Sequence, residues 1–161
     1  MKARIYIDGA SRGNPGNSSA AIIIKDLNGI VLAEEGVFLG KATNNIAETS
    51  ALDLALSKAS EIGITEAEVF SDSSLLVNQF NGKYRIKSKK LLDILHSAHK
   101  KAKQFKRIVL FHIPREKNQE ADKLANETLN KAAKEKNSEV ENILQQDCEQ
   151  LEFPVKWSVG D

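Results

Sequence analysis

Two β-branched runs, AAIIIKD (20–26) and IVLAEEGVFLG (30–40), flank Asn28-Gly29, and from Asn45 onward the apolar spacing changes from two to three and four. This change of period constrains the fold more than any other feature. β-branched residues suit a pleated surface and Asn-Gly is a favoured tight-turn pair, so residues 20–40 predict a hairpin. Ala51, Leu52, Ala55, Leu56, Ala59 and Ile62 then line one face of a helix that Gly63 ends. Asn45 followed by Glu48 fits a capped start for that helix.

The remaining segments alternate. ARIYID (3–8) predicts a short strand that stops at DGASRGNPGNSS, a Gly/Asn/Ser/Pro cluster read as loop. AEVFS (67–71) predicts a buried strand, DSSLLVNQF (72–80) a short helix, and Asn81-Gly82 a break. A helix follows over 87–105 with Leu91, Leu92, Leu95, Ala98 and Ala102 as its apolar stripe. RIVLFHI (107–113) predicts a strand closed by Pro114, and 118–136 a last helix. An antiparallel meander followed by strands separated by helices implies an α/β fold: a mixed five-stranded sheet flanked by helices. Residues 1–136 then form the domain. Residues 137–161 form an acidic tail that continues as helix at first and ends extended.

Composition narrows the classes. The chain has 161 residues, 41% apolar and 28% charged, which suits a soluble domain. A single cysteine, Cys148, excludes an internal disulfide framework and multi-cysteine zinc sites. No apolar run reaches the roughly 20 residues of a membrane helix, and MKARIYIDGAS lacks a signal-peptide core, so a cytoplasmic monomer with no membrane partner is expected. The net charge of +1 is uneven: residues 81–107 carry ten basic side chains against Asp93 alone, and 137–161 sum to −5. A solvated lysine-rich face and a phosphate-backbone partner both fit the basic stretch.

Four acids stand out by position. Asp8 ends the first strand, Glu48 lies in the first turn of its helix on the apolar side, Asp72 ends a buried strand, and Asp122 is near a helix start. Each has an ordinary alternative: an Asx turn for Asp8, a capping box for Glu48, a helix cap for Asp72, a dipole-complementing first turn for Asp122. As a set they differ. Parallel strands would bring Asp8 and Asp72 to one edge of the sheet, where open α/β sheets place their sites. Converging carboxylates repel unless divalent cations lie between them, and oxygen-only ligands favour Mg²⁺ or Mn²⁺.

The motifs YIDGASRGNPG (6–16), ATNNIAE (42–48), VFSDSSLLV (69–77) and HIPREKNQEADKLAN (112–126) arrive in an order and spacing that resemble the ribonuclease H type 1 family. The resemblance covers about residues 1–135. It implies a ribonuclease H-like fold and an endoribonuclease that cuts the RNA strand of RNA/DNA hybrids, leaving 5′-phosphate and 3′-hydroxyl ends. Asp8, Glu48, Asp72 and Asp122 match the family's metal-binding carboxylates, which would hold two Mg²⁺ ions, with Mn²⁺ as a substitute. Asn14, Asn44 and Asn45 match residues that contact the hybrid's minor groove, where 2′-hydroxyls mark RNA. Lys41 and Thr43 fall where the family binds a DNA-strand phosphate, and Ser88 falls near a third member of that pocket.

Two departures accompany the resemblance. Many relatives carry a basic, Trp-containing protrusion between two helices. Here Gly82–Ser88 links them directly, and the basic stretch 83–107 is the available substitute. Many relatives also place a mobile histidine before the last acid. Ten residues before Asp122 stands His112, within a predicted strand, while Arg115 lies in the following loop; both are candidates. His96 and His99 are expected at the surface, and Asn118 is expected to cap the last helix. The competing expectation is a non-catalytic module that binds RNA/DNA hybrids or duplex RNA. A third is DNA cutting of the integrase or exonuclease kind on the same fold.

Overall fold

The computed structural model describes residues 1–159, with side chains described through residue 146. Five strands form one sheet: β1 (Lys2–Gly13), β2 (Gly16–Lys25), β3 (Val31–Ala42), β4 (Glu66–Ser71) and β5 (Arg107–His112). Their spatial order is β3-β2-β1-β4-β5. The β1–β2 and β2–β3 pairs are antiparallel, whereas β1–β4 and β4–β5 are parallel. The helices are α1 (Asn44–Glu61), α2 (Ser74–Phe80), α3 (Lys89–Ala102) and α4 (Gln119–Val159), with a 3₁₀ turn at Arg115–Lys117. This is the mixed sheet with flanking helices that the change of period implies.

Strand alternation builds the core. Ile5, Ile7, Ile22, Ile24 and Val69 turn one way and meet Leu52, Ala55, Leu56 and Ala59 of α1 and Ala98 of α3, all buried. Ala51, Ala55 and Ala59 carry almost no side-chain bulk, so α1 lies close on the sheet. Burial of this apolar surface supplies most of the stabilisation, at about 25 cal/mol per Å².

The course of the backbone departs from the sequence reading in four places. β1 does not stop at Asp8 but runs five residues further, paired with β2 from Asp8↔Ala21 to Gly13↔Gly16. The glycines and serines there, which read as loop, let the strand pass beneath another backbone. A side chain at Gly9 would lie 2.4 Å from the Glu48 nitrogen. The hairpin after β2 is not centred on Asn28-Gly29. Gly29 N bonds the Asp26 carbonyl at 3.0 Å, Gly29 takes φ +86°, and Leu27 and Asn28 are the central pair.

The cap of α1 is Thr43, whose hydroxyl accepts from Ile46 N at 3.2 Å, rather than Asn45. Finally, α4 continues to Val159, where the sequence reading ends the chain extended. No glycine interrupts 119–159.

Tight connections order α2 and α3. Ser73 caps α2 by accepting from Leu76 N, and Ser88 caps α3 by accepting from Leu91 N. His99 is half-buried rather than surface-exposed: its Nε2 is 2.7 Å from the Phe80 carbonyl and its ring stacks on Phe80, since position 99 faces α2. Only residues 81–88 separate α2 from α3. Two compact units divide the chain, Met1–Leu129 and the segment from Asn130 onward. No helix among the described residues is long and apolar enough to cross a membrane.

Candidate active site

The parallel β1–β4 pair is in register from Lys2↔Glu66 to Ile7↔Ser71. The next residue on each strand is an acid, Asp8 and Asp72, so register alone brings the two carboxylates side by side. Glu48 arrives from α1, whose first turns cross above Gly9. The Gly9 amide donates to Glu48 Oε2 at 3.0 Å. One carboxylate oxygen from each of Asp8, Glu48 and Asp72 lies within 4.8 Å of the others. Asp122, in the first turn of α4, lies close enough for its charge to raise the Asp8 carboxyl.

Three of the ordinary alternatives are now excluded. Asp8 is inside a strand rather than an Asx turn, the cap of α2 is Ser73 rather than Asp72, and Glu48 bonds Gly9 rather than closing a capping box. Asp8 and Glu48 are each only 4% exposed. The ion pairs of Lys2, Arg4, Lys25, Lys58, Lys101 and Lys123 all go to other acids. Burial, and then the charges of Asp72 and Asp122, push the Asp8 carboxyl up to about 7. Burial, and then Asp8 and Asp72, push Glu48 well above the usual carboxylate range. Buried like charges this close are a poor structural device and a good receptor for divalent ions. The donor set is all oxygen, which fits hard cations such as Mg²⁺.

Asn118 completes the floor. It is 1% exposed, and its Nδ2 donates to the Ile7 carbonyl at 2.8 Å and to Asp72 Oδ2 at 3.3 Å. It does not cap α4 as expected: its Oδ1 has no partner, and only its main-chain carbonyl engages the helix, accepting from Asp122 N. Sequence reading missed this tie because the bond to β1 spans 111 residues.

The remaining candidates lie around this edge. Asn14, in the turn between β1 and β2, accepts from Asn44 N at 3.0 Å and so joins that turn to the start of α1. Asn44 is exposed, and the half-buried Asn45 has an unpartnered Oδ1. Lys41 is exposed on β3 opposite Asn17, and Thr43 caps α1 beside it. Ser88 spends its acceptor on the cap of α3. His112 is the last residue of β5, exposed and level with Ser71, one residue from Asp72. Arg115 is exposed on the 3₁₀ turn and pairs with neither Glu116 nor Glu120; Glu120 pairs with Lys25.

Residues 6–128 match the reverse transcriptase-like family, which spans the sheet and all four acids. The match joins this fold and this acid set to ribonuclease H structures. The crystal structure of ribonuclease H1 from Halobacterium salinarum superposes with a TM-score of 0.79 at 36% identity, over 81% of this chain and 99% of that one.

The chain belongs to the ribonuclease H type 1 family.

Within that family, LC11 ribonuclease H1, solved in complex with an RNA/DNA hybrid, gives a TM-score of 0.77 at 38% identity over 81% of this chain and 99% of its own. A bifunctional protein of Mycobacterium tuberculosis is 42% identical over 134 residues, or 83% of this chain and 37% of its own length. Ribonuclease HI of Halobacterium salinarum is 37% identical over 131 residues, or 81% of this chain and 66% of its own. The chain thus spans less than two thirds of these curated relatives. As a family member it is a variant without the basic protrusion, since eight residues and no helix separate α2 from α3.

Proposed function

We propose that this chain is a metal-dependent endoribonuclease that hydrolyses the RNA strand of RNA/DNA hybrids. One observation carries the reading: Asp8, Glu48 and Asp72 converge within 4.8 Å, with Asp122 alongside, at the strand-end edge of a ribonuclease H fold. The hybrid-bound structure of LC11 ribonuclease H1, similar over 99% of that chain, supports the substrate class.

Asp8, Glu48, Asp72 and Asp122 would hold two divalent ions, Mg²⁺ with Mn²⁺ as substitute. When bound, these ions supply positive charge to the attacking and leaving oxygens of an in-line phosphoryl displacement. The protein's part is positioning. Gly9 fixes Glu48, Asn118 fixes Asp72, and the sheet register fixes Asp8 against both. Water attacks phosphorus, the P–O3′ bond breaks, and the products carry 5′-phosphate and 3′-hydroxyl ends. His112, exposed and level with Ser71, would exchange a proton with the leaving oxygen, or the exposed Arg115 would offset its charge.

Recognition falls to the β1–β2 turn and the start of α1, which Asn14 joins. Asn14 uses its carbonyl oxygen on Asn44 N, which leaves its amide protons for an acceptor in the minor groove. Asn44 and Asn45 would contact the same groove, where 2′-hydroxyls distinguish RNA. Lys41, Thr43 and Ser88 would hold a DNA-strand phosphate. The catalytic unit is proposed to end by residue 136, with 137–161 as an appendage.

The test is a panel of hybrid, DNA duplex and RNA duplex of one sequence in Mg²⁺, with the ends of the products mapped. Cleavage of the hybrid's RNA strand alone is expected. Cutting of duplex DNA would favour another phosphoryl-transfer chemistry on the same fold, and tight hybrid binding without cutting would favour a binding module.

A further inference from the structure

Asn118 is among the largest fully buried side chains of the molecule, yet it is an amide with an unpartnered oxygen. An apolar side chain of similar volume would fill that space without leaving an acceptor unsatisfied, so packing alone does not account for it. Helix capping does not account for it either, because Oδ1 receives no amide from α4. What the side chain does make is two bonds from one nitrogen, to the Ile7 carbonyl at 2.8 Å and to Asp72 Oδ2 at 3.3 Å.

Those two acceptors belong to different acid-bearing segments. Ile7 precedes Asp8 on β1, and Asp72 follows the end of β4. The main chain of Asn118 engages a third, since its carbonyl accepts from Asp122 N at 3.1 Å. One residue therefore ties together the segments that carry Asp8, Asp72 and Asp122. Like charges drive those carboxylates apart, and a carboxylate at the end of a strand is free to turn about its own bond. A donor held rigidly to the Ile7 carbonyl limits that rotation.

We propose that Asn118 is a positioning residue that holds Asp72 at the spacing from Asp8 needed to take a divalent cation. This rests on the metal-dependent hydrolase reading given above. Outer groups that hydrogen-bond a ligating side chain commonly change metal affinity by about 10- to 100-fold when removed.

The test compares wild type with Asn118→Leu, which keeps the branch at Cγ and removes both donors, and Asn118→Ser, which keeps one. Mn²⁺ binding is measured by calorimetry without nucleic acid, hybrid affinity is measured in EDTA, and kcat is followed against Mg²⁺ concentration. Expected for Asn118→Leu are Mn²⁺ binding weakened about tenfold, a matching rise in the Mg²⁺ needed for half-maximal kcat, and unchanged hybrid affinity. Asn118→Ser falls between. A folded Asn118→Leu protein with wild-type Mn²⁺ affinity and metal requirement overturns the proposal. If Asn118→Leu does not fold, Asn118→Ser decides: a partial loss of Mn²⁺ affinity supports the role and none overturns it. Should wild type bind Mn²⁺ and never cut a hybrid, a loss of Mn²⁺ affinity in the variants still supports the positioning role, and the hydrolase reading alone fails.

Discussion

The Gly9 amide donates to Glu48 Oε2 at 3.0 Å, and Gly9 is also where β1 passes closest to α1. The two facts are one arrangement. A Cβ at position 9 would stand 2.4 Å from Glu48 N and 2.5 Å from the Ala47 carbonyl carbon, both main-chain atoms that cannot swing aside. Gly9→Ala must therefore lift the start of α1 and carry Glu48 away from Asp8. We expect hybrid cleavage to fall at least about 100-fold, the scale on which a displacement of about 1 Å costs rate. Folding should weaken by about 1–3 kcal/mol, as overpacking does. Cleavage rates and chemical denaturation check both.

The raised carboxyls predict an unusual pH response of the metal-free protein. With Asp8 near 7 when folded and 3.8 as its ordinary value, the folded state binds more protons than the unfolded state between about 4 and about 7. Stability therefore falls as pH rises through that window. Asp8→Asn removes the Asp8 share of the effect and leaves that of the buried Glu48, so in EDTA the variant should melt higher than wild type at pH 8, roughly 5–10 °C higher, with the gap narrowing toward pH 4.5. Saturating Mg²⁺ should recover much of the loss in wild type and little in the variant. Thermal melts over pH 4.5–8, with and without Mg²⁺, test this.

Substrate grip should come from the segment between α2 and α3 and the start of α3. Lys83, Arg85, Lys87, Lys89 and Lys90 are exposed, and none forms an ion pair among the described residues. Replacing Lys83, Arg85 and Lys87 by alanine should weaken hybrid binding and reduce the slope of log affinity against log salt by about 0.9 for each phosphate that is no longer neutralised. The thermal midpoint should stay unchanged. A binding series at rising salt, from about 50 to about 200 mM, measures it.

Leu52 is fully buried in α1 against the sheet. Leu52→Ala should cost about 2–5 kcal/mol of folding stability, through the transfer energy forgone and the cavity left behind. Cleavage per folded molecule should change little, because the acids are positioned by β1, β4 and the first turns of α1. Urea denaturation paired with activity measured well below the midpoint separates the two effects.

Much of this was legible in the sequence where local chemistry decides. The stripe Ala51, Leu52, Ala55, Leu56, Ala59 is the buried face of α1, and the helix predicted over 87–105 is α3, Lys89–Ala102. What escaped is set by neighbours distant in the chain. The continuation of β1 through DGASRG depends on α1 lying over Gly9, since only then are small residues an advantage in a strand. Thr43 and Asn45 are equally good caps on paper; Asn14, reaching Asn44 N across the turn, accompanies the start one residue after Thr43. The adjacency of Asp8 and Asp72, by contrast, follows from the parallel pairing expected for their strands, and the register Ile7↔Ser71 sets them side by side. Asn118 reads as a cap and instead reaches β1.

The most direct measurement is cleavage of an end-labelled RNA/DNA hybrid in Mg²⁺ by wild type and by Asp72→Asn, beside an EDTA control. Asp72→Asn keeps the shape of the side chain and removes one of the three converging charges. RNA-strand cutting by wild type, abolished by EDTA and absent in the variant, is the predicted result. Undiminished cutting by Asp72→Asn would contradict the account, because the carboxylate cluster would then not be where the chemistry occurs.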